Sequence, residues 1–220
     1  MDFNRLFSLQ GRSALITGGS RGIGRMIAEG YLAAGARVYI SARKAEACDQ
    51  TARELSGQGH IVSLPGDVST KAGIDKLVAE YSKHEDKLDI LVNNAGAAWG
   101  APYDEFPESG WDKVVNLNMK TPFFLTQALT PLLRKAAAGE HLAKVINIAS
   151  IDGISVNMWD TYSYSASKAG VIHLTKRMAL RLAPERVIVT AIAPGPFVLE
   201  CHHCPNRSSG HGEGNAAPAF

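Results

Sequence analysis

The feature that most constrains the fold is an alternation of two kinds of segment. Short, almost uninterrupted apolar runs rich in β-branched residues occur as SALIT from Ser13, RVYIS from Arg37, HIVSLP from His60, DILVN from Asp89, KVINIAS from Lys144 and RVIVTAIA from Arg186. Longer segments with helical spacing lie between them, beginning near Gly22, Lys44, Ser69, Ser109 and Trp159. A strand that is apolar on both faces must be covered on both, and a helix after each strand supplies the cover. The pattern predicts an α/β chain with six parallel strands and five helices in a doubly wound arrangement. No repeat and no linker interrupts it before residue 197. One domain is expected over 1–197, with an irregular tail over 198–220.

Composition narrows the class. The chain is 45% hydrophobic, enough for a buried core, and its net charge of +2 is too small to argue for nucleic acid or a membrane surface. No apolar stretch approaches the ~20 residues that span a bilayer. The opening MDFNRLFSLQGRS has no apolar run resembling a secretion signal, and three cysteines make no disulfide framework. The cytoplasm is the expected compartment, so the sequon at Asn206-Arg207-Ser208 carries little meaning.

The first apolar run leads into Thr17-Gly18-Gly19-Ser20-Arg21-Gly22-Ile23-Gly24, and a helical segment follows at once. Glycines there allow a sharp turn and close approach to a pyrophosphate, while the helix start offers free N–H groups and the positive end of its dipole. The spacing is Gly-x-x-x-Gly-x-Gly. Alone it would be a tight turn as readily as a ligand site, and a methyltransferase could share it; its place between the first strand and first helix favours a Rossmann-type dinucleotide site. The second strand ends Ile40-Ser41-Ala42-Arg43, with no carboxylate to accept from a ribose 2′-hydroxyl. Arg43, together with Arg21 in the glycine turn, would instead clamp a 2′-phosphate. One such arginine is commonly a solvated surface charge; two that converge are less commonly so. NADP is expected over NAD.

Tyr164 and Lys168 stand four positions apart and share one helix face. A neighbouring ammonium favours the phenolate, so Tyr164 is expected to have a lowered pKa and to exchange a proton near neutrality. Ser150 closes the fifth strand, at the carboxyl edge where ligands gather in such sheets. Taken singly, these residues read as a surface pair and a turn residue.

Together the motifs resemble those of the short-chain dehydrogenases/reductases, over roughly residues 8–197. TGGSRGIG is similar to that family's cofactor turn, Asn93-Asn94-Ala95-Gly96 to its NNAG motif, VVNLNMK around Asn118 to its catalytic-asparagine helix, and Ala193-Pro194-Gly195 to its Pro-Gly turn. The resemblance implies catalysis by Asn118, Ser150, Tyr164 and Lys168. Tyr164 would give the proton, Lys168 would lower its pKa and hold the nicotinamide ribose, Ser150 would orient the carbonyl, and Asn118 would support a water relaying protons to Lys168. The implied cofactor contacts are Gly18, Ser20, Arg21, Gly22, Ile23, Gly24, Arg43, Asp67, Val68, Asn94, Ala95, Gly96, Tyr164, Lys168, Pro194 and Gly195, with Asp67 and Val68 flanking the adenine. The methyltransferase reading falls away, since it needs no Tyr-Lys pair. Within the family the sequence is most similar to NADPH-dependent 3-oxoacyl reductases, including the branch linked to bacterial rhamnolipid synthesis. Thr190 departs from the Asn that many relatives carry.

The expected function is therefore NADPH-dependent reduction of a ketone, of a 3-oxoacyl thioester or another small molecule, by a homodimer or homotetramer. The segment from Trp111 to Lys135, apolar on more than one side, is the expected subunit contact. An alcohol or hydroxysteroid dehydrogenase would share every catalytic residue, and a catalytically silent dinucleotide-binding protein is the alternative from another class. The tail, VLECHHCPNRSSGHGEGNAAPAF, lacks apolar periodicity. Cys201-His202-His203-Cys204 and His211 form one cluster where a zinc site needs two ligand pairs, and Cys-x-x-Cys here opens no helix, so neither a metal nor a redox role is expected. Family members continue here with a helical cover and a seventh strand, so the last part of the fold is expected to be missing and the sixth strand to be an open edge.

Overall fold

The structure, a computed structural model, describes residues 6–195. Six strands form one sheet: β1 (Ser13–Thr17), β2 (Arg37–Ser41), β3 (Ile61–Ser63), β4 (Ile90–Asn93), β5 (Ala143–Ile148) and β6 (Val187–Ile192). Their order is β3-β2-β1-β4-β5-β6, and every neighbouring pair is parallel. The chain winds outward from β1 to one edge, then returns to β4 and winds to the other. The β1–β4 junction is thus the switch point at which a crevice opens beyond the carboxyl ends of the strands.

Alternation along each strand divides the core in two. Ala14, Ile16, Val38, Ile40, Ile90 and Val92 face one side, where they meet Ala28 and Leu32 of α1 (Gly22–Ala33) and Cys48 and Leu55 of α2 (Ala45–Leu55). Leu15, Tyr39, Leu91 and Val145 face the other. There they pack on Leu77 of α3 (Lys71–Tyr81), Leu125 and Leu129 of α5 (Thr121–Ala137), and Met178 of α6 (Tyr162–Leu182). Apolar runs on both faces therefore need both helical layers.

Two expectations shift. The run HIVSLP gives only a three-residue strand, Ile61–Ser63. Leu64 and Gly66 still donate to the Ile40 and Ala42 carbonyls, at 2.8 and 3.0 Å, so the pairing runs past the strand's end, and Pro65 falls between them where its missing N–H faces away from β2. The helix expected from Ser109 is broken into α4 (Glu108–Val115) and α5 by a π-turn at Asn116–Lys120. Pro122 has no N–H for the carbonyl four residues back, and Thr121 reaches to the Asn116 carbonyl instead.

Among the described residues, β6 stands at the sheet edge and no helix is long and apolar enough to cross a membrane. The expectations for the tail, including Cys201–Cys204, Asn206 and His211, lie outside the described residues.

Candidate active site

The glycine turn sits at the switch point, and its glycines are there for space. Gly18 and Gly22 have φ of 68° and 55°. A Cβ on Gly24 would lie 2.2 Å from the Gly18 carbonyl oxygen, and one on Gly18 would lie 2.8 Å from Asn94 Nδ2. Neighbouring strands hold the turn. Gly18 N and Gly19 N donate to the Ser41 carbonyl at 2.7 and 3.2 Å, and Thr51 of α2 donates to the Ser20 carbonyl at 2.9 Å. From β4, Asn94 Nδ2 donates to the carbonyls of Thr17 and Gly18 at 3.0 and 3.2 Å.

Helix α1 starts with no side-chain cap and no acidic residue in its first turn. Its first N–H groups, around Ile23 and Gly24, are therefore left without a side-chain acceptor, as an anion site requires. Arg21 occupies the position before the first turn of this helix, and Arg43 follows β2. Both are exposed, and among the described residues neither guanidinium makes a hydrogen bond or ion pair. Asp67 is held below its usual range: burial would raise it, but the Ser69 N–H at 3.0 Å and the charge of Arg43 prevail. Val68 is buried, its carbonyl fixed by the Thr121 hydroxyl at 2.8 Å. The uncapped helix start, the glycine space and the two uncommitted arginines fit a dinucleotide carrying a 2′-phosphate.

The second half of the site lies beyond β4 and β5. Ser150 caps a short turn at Ile151–Gly153 by accepting from Asp152 N at 3.2 Å. That turn presses onto α6: a Cβ on Gly153 would lie 2.5 Å from the Lys168 carbonyl carbon. Pro194 accepts from Ile151 N at 2.9 Å and so stands beside the same turn, with Gly195 next to it. Tyr164 and Lys168 are buried, 6% and 5% exposed. Lys168 Nζ lies 5.5 Å from the Tyr164 ring centroid and donates to the Ile148 carbonyl at 2.7 Å. Two of its three N–H bonds remain for other acceptors.

The expected lowering of the Tyr164 pKa is corrected. Burial raises it and the charge of Asp152 adds to the rise, while a hydrogen bond with the Ser150 hydroxyl only partly offsets them. Helical spacing gives the lysine's proximity but not the dehydration of the phenol, which is the larger effect. Burial also pushes the Lys168 ammonium down, to about 8.

Asn118 lies in the π-turn, where Met119 presses against α6 at Gly170. Its amide exchanges two hydrogen bonds with Ala97, at 2.8 and 2.9 Å, and donates to Ser167 Oγ at 3.1 Å. A Cβ on Gly96 would lie 3.3 Å from Asn118 Oδ1 and 3.9 Å from Lys168 Nζ, so the two flank one space. Sequence reasoning passed over Thr17, whose hydroxyl donates to the Val92 carbonyl and accepts from Asn94 N and Ala95 N, at 3.0–3.3 Å. Its place just before the glycines was the available signal.

A glycine turn at the switch point of a parallel sheet, facing a buried Ser–Tyr–Lys group, defines a Rossmann-type dinucleotide-dependent oxidoreductase. Comparison with known proteins agrees: residues 12–203 match the short chain dehydrogenase family, and the chain belongs to it. It is similar to the rhamnolipids biosynthesis 3-oxoacyl-[acyl-carrier-protein] reductase of Pseudomonas aeruginosa, 48% identical over 205 residues covering 93% of this chain and 77% of that protein. It is 39% identical to the 5-keto-D-gluconate 5-reductase of Escherichia coli K12 over 199 residues, 90% of this chain and 76% of that one. Among solved structures it resembles the P. aeruginosa RhlG/NADP active-site complex, with a TM-score of 0.86 and 49% identity over 88% of this chain and 76% of that chain.

Proposed function

We propose that this chain reduces the ketone of a 3-oxoacyl thioester to an alcohol with NADPH, as a homo-oligomer of the cytoplasm. The observation that carries the chemistry is the buried Tyr164 with the Ser150 hydroxyl on its phenol and the Lys168 ammonium beside its ring. A phenol whose pKa is raised is protonated at neutral pH, so it has a proton to give. When bound, the nicotinamide supplies the hydride.

Tyr164 donates its proton to the carbonyl oxygen as charge develops there, and Ser150 orients that oxygen by a second hydrogen bond. Lys168, largely charged below its value of about 8, stabilises the phenolate left behind and has N–H bonds to spare for ribose hydroxyls. Asn118 holds Ala97 and Ser167 in place beneath them. The helix start at Gly22–Gly24 takes the pyrophosphate with Gly18, Ser20 and Ile23 around it. Arg21 and Arg43 take the 2′-phosphate, and Asp67, Val68, Asn94, Ala95, Gly96, Pro194 and Gly195 line the remaining length of the cleft.

The acyl reading is supported by the 48% identity to a 3-oxoacyl reductase and by the loop between Ser150 and Tyr164. Ile154, Val156 and Met158 on that loop are exposed, the last two at 98%, which suits an apolar chain better than a polyol. The test is NADPH oxidation with 3-oxoacyl thioesters of coenzyme A and of acyl carrier protein, 5-keto-D-gluconate and a cyclic ketone. Thioester turnover that collapses about 10²–10⁴-fold in Tyr164→Phe is expected. Preference for the sugar acid would overturn the substrate, and an active Phe variant would overturn the proton donor.

A further inference from the structure

Four polar side chains run through the core beneath the site. Thr126 of α5, Asn93 at the end of β4, Asn147 of β5 and Thr175 of α6 are 1%, 4%, 0% and 5% exposed. Asn93 and Asn147 are register partners on adjacent strands, so their amides share a face of the sheet. Asn93 Nδ2 donates to Asn147 Oδ1 at 2.8 Å and to Thr126 Oγ1 at 3.2 Å, and Asn147 Nδ2 donates to Thr175 Oγ1 at 2.8 Å.

Donor accounting fixes the direction of this chain. Thr126 gives its only proton to the Pro122 carbonyl and Thr175 gives its own to the Val171 carbonyl, both at 2.7 Å. Each threonine can then only accept, and only an amide NH₂ can bridge two acceptors. Turning the Asn93 amide over would set its oxygen against Asn147 Oδ1. In the present orientation Asn93 Oδ1 has no partner, a cost that the chain's other bonds must outweigh.

The four residues belong to the four elements that carry the site. Asn93 directly precedes Asn94, and Asn147 directly precedes Ile148, whose carbonyl holds Lys168. Thr175 lies two turns after Lys168 on α6, and Thr126 lies about two turns after Asn118. The geometry points to Thr126, Asn93, Asn147 and Thr175 as positioning residues that set α6, with Tyr164 and Lys168, against the strand end that leads to Ser150 and against α5, which follows the π-turn carrying Asn118. This inference rests on the catalytic assignment of Tyr164 and Lys168 proposed above.

The test compares Thr175→Val, which keeps the shape and removes the acceptor, with Thr175→Ser, which restores the acceptor. Thr126→Val serves as a second break at the far end should Thr175→Val not fold. The first readout needs no substrate: ionisation of Tyr164, read as phenolate absorbance against the same protein carrying Tyr164→Phe. It should move in both Val variants and return in the Ser variant. The second readout is NADPH-dependent reduction of a 3-oxoacyl N-acetylcysteamine thioester. There kcat should fall about tenfold in the Val variants while KM and NADPH affinity stay within about twofold. A lowered Tm with kcat and the Tyr164 titration both unchanged would make the chain merely structural and overturn the inference. So would a parallel loss of NADPH binding. No turnover by the parent, with a Tyr164 titration that still responds, would refute the substrate reading and leave this inference supported.

Discussion

Lys168 is a buried cation, and replacing it by methionine should make the protein's stability respond differently to pH. Its pKa falls from the ordinary 10.5 to about 8 because burial disfavours the charged form. Below about 8 both folded and unfolded chains carry the proton, so the folded protein bears the whole cost of the buried charge. Between that value and 10.5 the unfolded chain binds more protons than the folded one, and stability therefore rises with pH. At about 1.4 kcal/mol per unit the full relief is on the order of 3 kcal/mol, and most of it is gained by about pH 10. Lys168→Met has no such group. Its stability relative to the parent should fall by on the order of 2–3 kcal/mol between pH 7 and pH 10, while ionisations common to both proteins cancel. Urea unfolding of the two proteins at both pH values, without cofactor, measures this double difference. A difference that stays constant with pH, or one of opposite sign, would refute the reasoning. The Met variant should also lose NADPH-dependent turnover, since the charge that is costly to bury is the one that stabilises the phenolate.

The remaining predictions concern the cofactor and assembly. Arg43→Ala should weaken NADPH binding by about 1–3 kcal/mol and leave NADH nearly unchanged, as titrations at one salt concentration would show. Ala42→Asp should move preference toward NADH, because a carboxylate at the end of β2 repels a phosphate and accepts from a ribose hydroxyl; an unchanged NADPH-to-NADH ratio of affinities would contradict this. Gly24→Ala drives a methyl group to 2.2 Å from the Gly18 carbonyl oxygen, backbone that cannot step aside, so NADPH binding should be lost in a titration while the far edge of the sheet stays folded by hydrogen exchange. Trp111 and Phe123, 40% and 37% exposed on α4 and α5, should be covered in a dimer or tetramer; light scattering at micromolar concentration would detect a monomer and count against it.

How much of this was legible in the sequence depends on how local each cause is. The parallel sheet was readable because strands buried on both faces leave an apolar run, and β1, β2, β4, β5 and β6 fall where those runs lie. The glycine turn and the Tyr-Lys pair were readable because their spacing is set within a few residues. The π-turn was not, because an apolar helical pattern passes smoothly over Asn116–Lys120 and only the missing N–H of Pro122 marks the break. The direction of the Tyr164 shift was missed because it depends on burial created by residues far along the chain.

The Asn93–Asn147 bond was the least legible feature. Asn93 stood out in the sequence only as part of its four-residue motif and Asn147 not at all, and their meeting depends on the register of β4 against β5. A slip of one residue would turn one amide to the opposite face and leave the other buried without partners on β5. The hydrogen-bond chain therefore favours the same register that brings the carboxyl ends of β4 and β5 level, and that levelling sets Asn94 and Ser150 on one rim of the crevice. The polar core and the polar site are in this sense two ends of one constraint: the side chains that fix the register lie below the rim, and those that meet a ligand lie above it.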